Sequence, residues 1–350
     1  MLLDYMLMVK LTIQIVGYNG AEHLGRACEA LKKIPKEEAV IRYIDNGSTD
    51  ESVEVVRRGL LEADIIERGV NTGYAGGHNF GFSLCTTAFV LVHDQDVVIE
   101  WEGIKKLLEA FEDEKVGAVQ GKIYRSAPSL RRSRLLPTPP KWSRRTFDSA
   151  GIVQTLSLNG VDRGANEEDR GQFDEPAEIL AAQGACALYR MGALMNVANT
   201  HGSFTSQESA AAYTGEVFPP RLEILDNDFF AYKEDVDLGW RLKNAGWKTI
   251  YRPVVMGTHA RTLGKRGVGG WGLSPAGIYS RLKSSRTRLS LRNYCWMIAK
   301  NASVGQAVLH SPFIFGRLCI FILFTLIYWP LFPAWGEMAT GIPKMLAKRS

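Results

Sequence analysis

The apolar and polar positions first fall into pattern at VKLTIQIVGY, residues 9–18, a β-branched run that reads as a buried strand. A second run, VIRYID at 40–45, follows the amphipathic stretch EHLGRACEALKKI, so the chain opens with a predicted strand–helix–strand unit. Helical spacing returns between Asp50 and Leu61, where Val53, Val55, Val56 and Leu60 form a stripe and Ser48 or Asp50 can cap the start. Next come a short strand, ADIIE, a glycine-rich loop, a helix through Asn79 to Cys85, and AFVLVHD at 88–94, a fully apolar strand ending in acidic residues. This alternation predicts an α/β fold with an open, mostly parallel sheet, whose ligands bind beyond the carboxyl ends of the strands.

The middle is less regular. Lys122 to Phe147 carries eight basic residues, four prolines and no acid, and residues 200–228 are rich in Ser, Ala, Gly and Pro, so two long loops are expected. Between them EILAAQGACALYR, 178–190, has strand character, and residues 231–253 read as a helix stopped at Gly246 and then a strand. Leu318 to Trp335 is an uncharged run of eighteen residues broken late by Pro330 and Pro333. Its length admits a membrane-spanning helix, a re-entrant or interfacial segment, or a core helix. A cut after about Asn301 is expected to leave a soluble, donor-binding remainder.

Composition sharpens this in two ways. The five cysteines, Cys28, Cys85, Cys186, Cys295 and Cys319, never form a C-x-x-C pair, which argues against a disulfide framework or a zinc knuckle and for a reducing compartment. The first residues lack a basic leader and a cleavage site, so no signal peptide is expected. The net charge of +5 hides an asymmetry: no carboxylate lies between Asp237 and Glu337, while fourteen Lys and Arg do. The last third is therefore expected to meet phosphates or an anionic membrane surface, with Arg281, Lys283, Arg286, Arg288 and Arg292 against the headgroups. A nucleic-acid partner is not expected, because no binding module of that kind is recognisable.

The sharpest chemical signal is His93-Asp94-Gln95-Asp96 directly after a buried strand. Two carboxylates so placed can hold a hard divalent cation that takes diphosphate oxygens as further ligands, although a polar strand exit has the same appearance. Its neighbours add weight. IQIVGYN, YIDNGSTDES, NTGYAGGHNFGF, HDQDV and FFAYKEDVDLGWRLKNAGW occur in that order, and together they resemble glycosyltransferase family 2, of the GT-A fold, in its rhamnosyltransferase-like and galactofuranosyltransferase-like branch.

The resemblance implies an inverting transferase using a nucleotide-sugar, dTDP-rhamnose or a UDP-sugar, with Mg²⁺ or Mn²⁺, on a lipid-linked or polysaccharide acceptor. It implies that Tyr18 stacks on the base, that Asp45 and Asn46 reach base and ribose, and that Asn71, Gly73, Gly76 and Gly77 let backbone approach the donor. Asp96 is the implied principal metal ligand, with Asp94 near the ribose or metal and His259 at the metal side. The E-D motif makes Asp235 the general base with Glu234 beside it, and Gly184 lies under the donor sugar. On this reading residues 1–262 form the GT-A domain, with a nucleotide-binding half to 100 and a catalytic half from 101, and 263–350 form a membrane-associating region on the cytoplasmic face. Gly17 departs from the family's small polar residue before Tyr18, and the 200–228 loop is longer than the pattern. The rival reading is a membrane-associated binding protein that kept the fold and lost turnover. It sits poorly with the joint presence of Asp94, Asp96, Asp235 and His259.

Overall fold

Strands β1 (Leu11–Gly17), β2 (Ala39–Asp45), β3 (Asp64–Glu67) and β4 (Phe89–Asp94) pair in parallel, in the order β4-β1-β2-β3. In the computed structural model, residues 10–126, 145–200, 222–261 and 285–349 are described. The apolar runs are continuous because both sheet faces are covered. In β4, Leu91 joins a core under helices α1 (Ala21–Leu31) and α2 (Ser52–Gly59), while Val90 and Val92 join a second core on the opposite face. Asp50 caps differently from expectation: one oxygen accepts from Ser52 N–H at 3.0 Å, and the other from Ala21 N–H at 3.1 Å, tying the starts of both helices together.

The glycine-rich segment is not a loop. Helix α3 (Gly73–Ser83) already begins at its first glycine, and it lies flat on β1. A Cβ at Gly77 would sit 2.6 Å from Val16, and one at Gly81 2.2 Å from Gln14, so these positions are bare to allow close helix–strand packing. Helix α4 (Trp101–Leu108) then leads into β6 (Val116–Arg125), preceded by the short β5 (Val97–Ile99). Part of the expected loop from Lys122 is thus strand. Chain returns at β7 (Phe147–Ser149), and residues 127–144 and 201–221 lie outside the described residues.

The 178–190 stretch is two strands, β10 (Ala177–Ile179) and β11 (Cys186–Arg190), separated by Leu180 to Ala185; a hairpin of β8 (Ile152–Gln154) and β9 (Gly160–Asp162) precedes them. Strand β11 enters the sheet antiparallel between β4 and β6, the short β12 (Asn199–Thr200) and β13 (Leu222–Glu223) pair with each other outside it, and β14 (Lys248–His259) pairs in parallel with β6. Six of the ten strands run one way, so the sheet is mostly parallel with a reversed strand at its centre. That reversal starts β11 at the edge where β4 ends: Cys186 is registered on His93, and Asp94 N–H donates to Ala185 O at 2.8 Å.

Helix α5 (Met191–Asn196) and α6 (Glu234–Asn244) cover the second face, and Gly246, at φ +86°, ends the turn into β14 as expected. The C-terminal part is four helices, α7 (Ser285–Asn301), α8 (Val304–Leu309), α9 (Ser311–Ile327) and α10 (Phe332–Ala347). The apolar run therefore does not form one helix. Pro330 falls in a short 3₁₀ turn between α9 and α10, and no helix among the described residues is long and apolar enough to cross a membrane.

Candidate active site

The carboxyl edge of the sheet opens into a cleft of ≈ 430 Å³. The end of β4 brings Asp94 to it, the tight turn to β5 brings Asp96, and twelve residues of β14 carry His259 to the same place, where Ala260 N–H donates to Asp96 O at 3.0 Å. One ligand atom from each of Asp94, Asp96 and His259 lies within 4.8 Å of the others. Two carboxylates and an imidazole are a donor set that suits Mg²⁺ or Mn²⁺.

His259 is clamped between two acids. Its Nε2 is 3.1 Å from Asp96, and its Nδ1 is 2.9 Å from Asp148, a fully buried carboxylate that also binds the Arg261 guanidinium. Such an outer carboxylate fixes the ring of a metal-side histidine. Burial opposes charge on His259, but Asp148 and Asp96 outweigh it and raise the imidazole to about 10. Burial pushes the Asp94 carboxyl up to about 7. Asp148 carries no motif, and its partner lies 111 residues away, so the sequence offered no signal for it. Gln95, between the two acids, grips Tyr18: its Oε1 accepts from Tyr18 N–H at 3.0 Å and its Nε2 donates to Tyr18 O at 3.2 Å. His93 instead is wholly buried, and burial lowers it to about 4, which makes it a neutral core residue.

Across the cleft stands the start of α6. Asp235 accepts Gly184 N–H at 3.2 Å and Val236 N–H at 2.8 Å, whereas Glu234 is buried with one oxygen, Oε2, that has no partner. Burial raises both carboxyls, Glu234 well above its ordinary range. Two N–H donors favour the ionised form of Asp235 and oppose that rise, whereas the Glu234 carboxyl is pushed up by burial and by Asp235 itself. Gly184 is thus in contact with the candidate base, and Tyr74 Oη donates to its carbonyl at 2.6 Å. The backbone before α6 is unusual: Phe230, Tyr232 and Lys233 have φ of 61°, 71° and 77°. Each such non-glycine conformation costs roughly 1–3 kcal/mol, a strain typical of functional turns.

The nucleotide side is more mixed. Tyr18 lines the cleft with its ring half-exposed, ready for stacking. Asn71 and Gly73 also line it, but the Asn46 amide is engaged, donating to Asn71 Oδ1 at 3.1 Å and Gly73 O at 3.0 Å and accepting from Thr72 N–H at 3.3 Å. Asp45 lies behind the wall. One oxygen accepts from Gly47 and Ser48 N–H, and the other is a buried acceptor with no partner. Gly76 and Gly77 do not line the cleft: they sit on α3, against Thr72 and Val16, so their role here is packing.

This arrangement can be set beside known proteins. The family model described as glycosyl transferase family 2 matches residues 12–197, more than half of the chain. The chain belongs to that family. This glycosyltransferase is 25% identical over 268 residues to the N-acetylglucosaminyl-diphospho-decaprenol L-rhamnosyltransferase of Mycobacterium tuberculosis, covering 69% of this chain and 73% of the relative. It is 28% identical over 114 residues to an uncharacterized glycosyltransferase of Nostoc, covering 32% and 35%. Among solved structures, S. aureus TarS 1-349 superposes with a TM-score of 0.51 at 15% identity, covering 97% of this chain and 82% of that one. GalNAc-T7 with UDP, GalNAc and Mn²⁺ gives 0.52 at 13%, covering 84% and 49%. Both place the glycosyltransferase in the GT-A fold.

Proposed function

We propose that this glycosyltransferase inverts the anomeric centre of a nucleotide-sugar, dTDP-rhamnose or a UDP-sugar, as it passes the sugar to a hydroxyl of a lipid-linked or polysaccharide acceptor. The carrying observation is that one cleft is lined both by the Asp94, Asp96 and His259 set and by Asp235, with its two backbone hydrogen bonds. Inversion needs a base on the face opposite the leaving group, and Asp235 accepts the acceptor proton there. Tyr18, backed by Gln95, stacks on the base of the donor. Gly184 lies under the donor sugar, where a Cβ would sit 2.9 Å from Tyr74 Oη and 3.5 Å from Asp235 Cβ, so its bareness leaves room for those two side chains. A Mg²⁺ or Mn²⁺ held by Asp96, Asp94 and His259 would stabilise the negative charge of the departing diphosphate. The GalNAc-T7 structure with Mn²⁺ supports a divalent ion, and the mycobacterial relative's name supports a diphosphate-lipid acceptor.

We further place the protein on the cytoplasmic face of a membrane, where nucleotide-sugars are found. Phe315, Leu326 and Trp329 are each more than 60% exposed around α9, an apolar face that favours interfacial attachment. The decisive experiment is nucleoside diphosphate release from a panel of nucleotide-sugars, with and without Mn²⁺, in the presence of a polyprenyl-diphosphate acceptor. Release from one donor, dependent on metal and acceptor, is expected; no release from any donor overturns the reading. Co-sedimentation with anionic vesicles tests the attachment, and indifference to them removes it.

A further inference from the structure

The turn that launches α6 is held from a helix sixty residues further along the chain. Asn293, on α7, is fully buried, and its Nδ2 donates to the carbonyls of Phe229 at 3.0 Å, Ala231 at 3.0 Å and Tyr232 at 2.7 Å. Beside it Arg292 Nη2 donates to the carbonyls of Asp228 at 3.0 Å and Phe229 at 3.2 Å, with its guanidinium 4.2 Å over the Trp296 ring. Further down the same helix, Lys300 Nζ and Asn301 Nδ2 reach the Asp237 carboxylate at 3.0 and 2.8 Å. Helix α7 therefore holds the chain on both sides of Asp235. The stretch it spans contains the three residues with positive φ, and of these Tyr232 is bonded to Asn293 directly. A side chain in that conformation relaxes to negative φ when its restraints are removed, and such a relaxation at Tyr232 and Lys233 rotates the first turn of α6.

We infer that Asn293 is a positioning residue for the transfer reaction: its amide fixes the strained turn that aims the Asp235 carboxylate into the cleft. The inference rests on the role of Asp235 proposed above. It does not follow from the stability of α7 alone, because the Nδ2 donates only to the turn while Oδ1 accepts from the neighbouring Arg292 Nε at 2.9 Å. A misplaced base lowers turnover while the donor wall is untouched.

The test compares Asn293→Ala with Met297→Ala, a fully buried neighbour on the same helix that packs in the apolar cluster, and with Asp235→Asn. Asn293→Ala should lower kcat per folded molecule by about 10- to 100-fold with donor KM and nucleoside diphosphate affinity unchanged. Hydrogen exchange at amides 230–236 should quicken in the same variant. Met297→Ala should lower the melting temperature without changing kcat or that exchange. Equal loss of kcat in Asn293→Ala and Met297→Ala, or wild-type kcat in Asn293→Ala, overturns the inference. Should Asn293→Ala not fold, Asn293→Ser, which keeps one donor, carries the same comparison. Turnover retained by Asp235→Asn removes the base assignment itself, whereas an inactive Asp235→Asn beside an unaffected Asn293→Ala removes only the positioning role.

Discussion

Replacing Asp235 with Asn separates the proposed chemistry from binding. The carboxylate accepts Val236 N–H on Oδ1 at 2.8 Å and Gly184 N–H on Oδ2 at 3.2 Å, so an amide keeps one acceptor and turns an N–H donor toward the other. That mismatch costs about 1–3 kcal/mol of stability, which leaves the fold intact. The loss of the proton acceptor is larger: removing a general base lowers turnover about 10²- to 10⁴-fold, or about 3–5 kcal/mol of activation free energy at 1.36 kcal/mol per tenfold. Glu234→Gln is the matched control. Burial and the neighbouring Asp235 push the Glu234 carboxyl well above its ordinary range, toward the uncharged acid, so an uncharged isostere there should change kcat far less. Initial rates of nucleoside diphosphate release at saturating donor, with donor affinity measured by calorimetry, read both effects. A Glu234→Gln variant slower than Asp235→Asn would refute the division of roles between the two acids.

Asp96→Ala should abolish metal-dependent binding of nucleoside diphosphate in calorimetry, whereas His259→Ala should weaken it less because both carboxylates remain; unchanged metal dependence in Asp96→Ala would overturn the metal assignment. Lys300→Met removes one partner from the buried carboxylates of Asp226 and Asp237, a loss of about 3–5 kcal/mol, which for 350 residues lowers the melting temperature by about 4–7 °C. Burial alone would raise Asp226, but Lys300 and Lys348 overcome it and hold the acid at about 2. The folded state therefore keeps roughly 2 kcal/mol from Asp226 above pH 4 and loses it between about pH 4 and 2, a drop visible in acid unfolding and reduced in Lys300→Met. Truncation after Asn301 should destabilise the protein instead of freeing an intact remainder, because it removes Lys348 and the α10 carbonyl of Met338 that accepts from Trp296 Nε1 at 3.0 Å; a truncated protein with an unchanged melting temperature would contradict this.

What could be read from the sequence was whatever a single segment states by itself. The strands β1, β2 and β4 and the edge they share are legible because burial on both faces leaves an unbroken apolar run, and the acids at the end of β4 mark that edge. The start of α3 was misread because glycine signals a turn unless its neighbour is known, and here the neighbours are Val16 and Gln14 on β1. The supporting residues were hidden for the same reason. Asp148 and Asn293 look like ordinary polar positions, and only the fold shows that one orients His259 and the other holds the Phe229–Tyr232 carbonyls.

The charge asymmetry shows where local reading stops. A hundred residues without a carboxylate suggested a surface for phosphates or lipid, yet several of those cations face inward. Lys300 meets Asp226 and Asp237, Arg292 lies along the turn before α6 and Arg288 binds Glu337, while Lys348, past the end of that stretch, meets Glu223, Asp226 and Asp228. Arg281, Lys283 and the Arg286 side chain lie outside the described residues. The acidic excess of the first 237 residues is thus partly neutralised by the basic tail, through Lys348 and through the buried Lys300–Asp237 pair that joins α6 and α7. Among the described residues the paired cations have little left to offer an anionic surface, so the proposed membrane attachment would draw there mainly on the apolar face of α9. The Lys300 pair also ties the candidate base to the tail: Asp237, one half-turn past Asp235, is fixed by Lys300 and Asn301 of α7, so whatever moves α7 relative to α6 also moves Asp235.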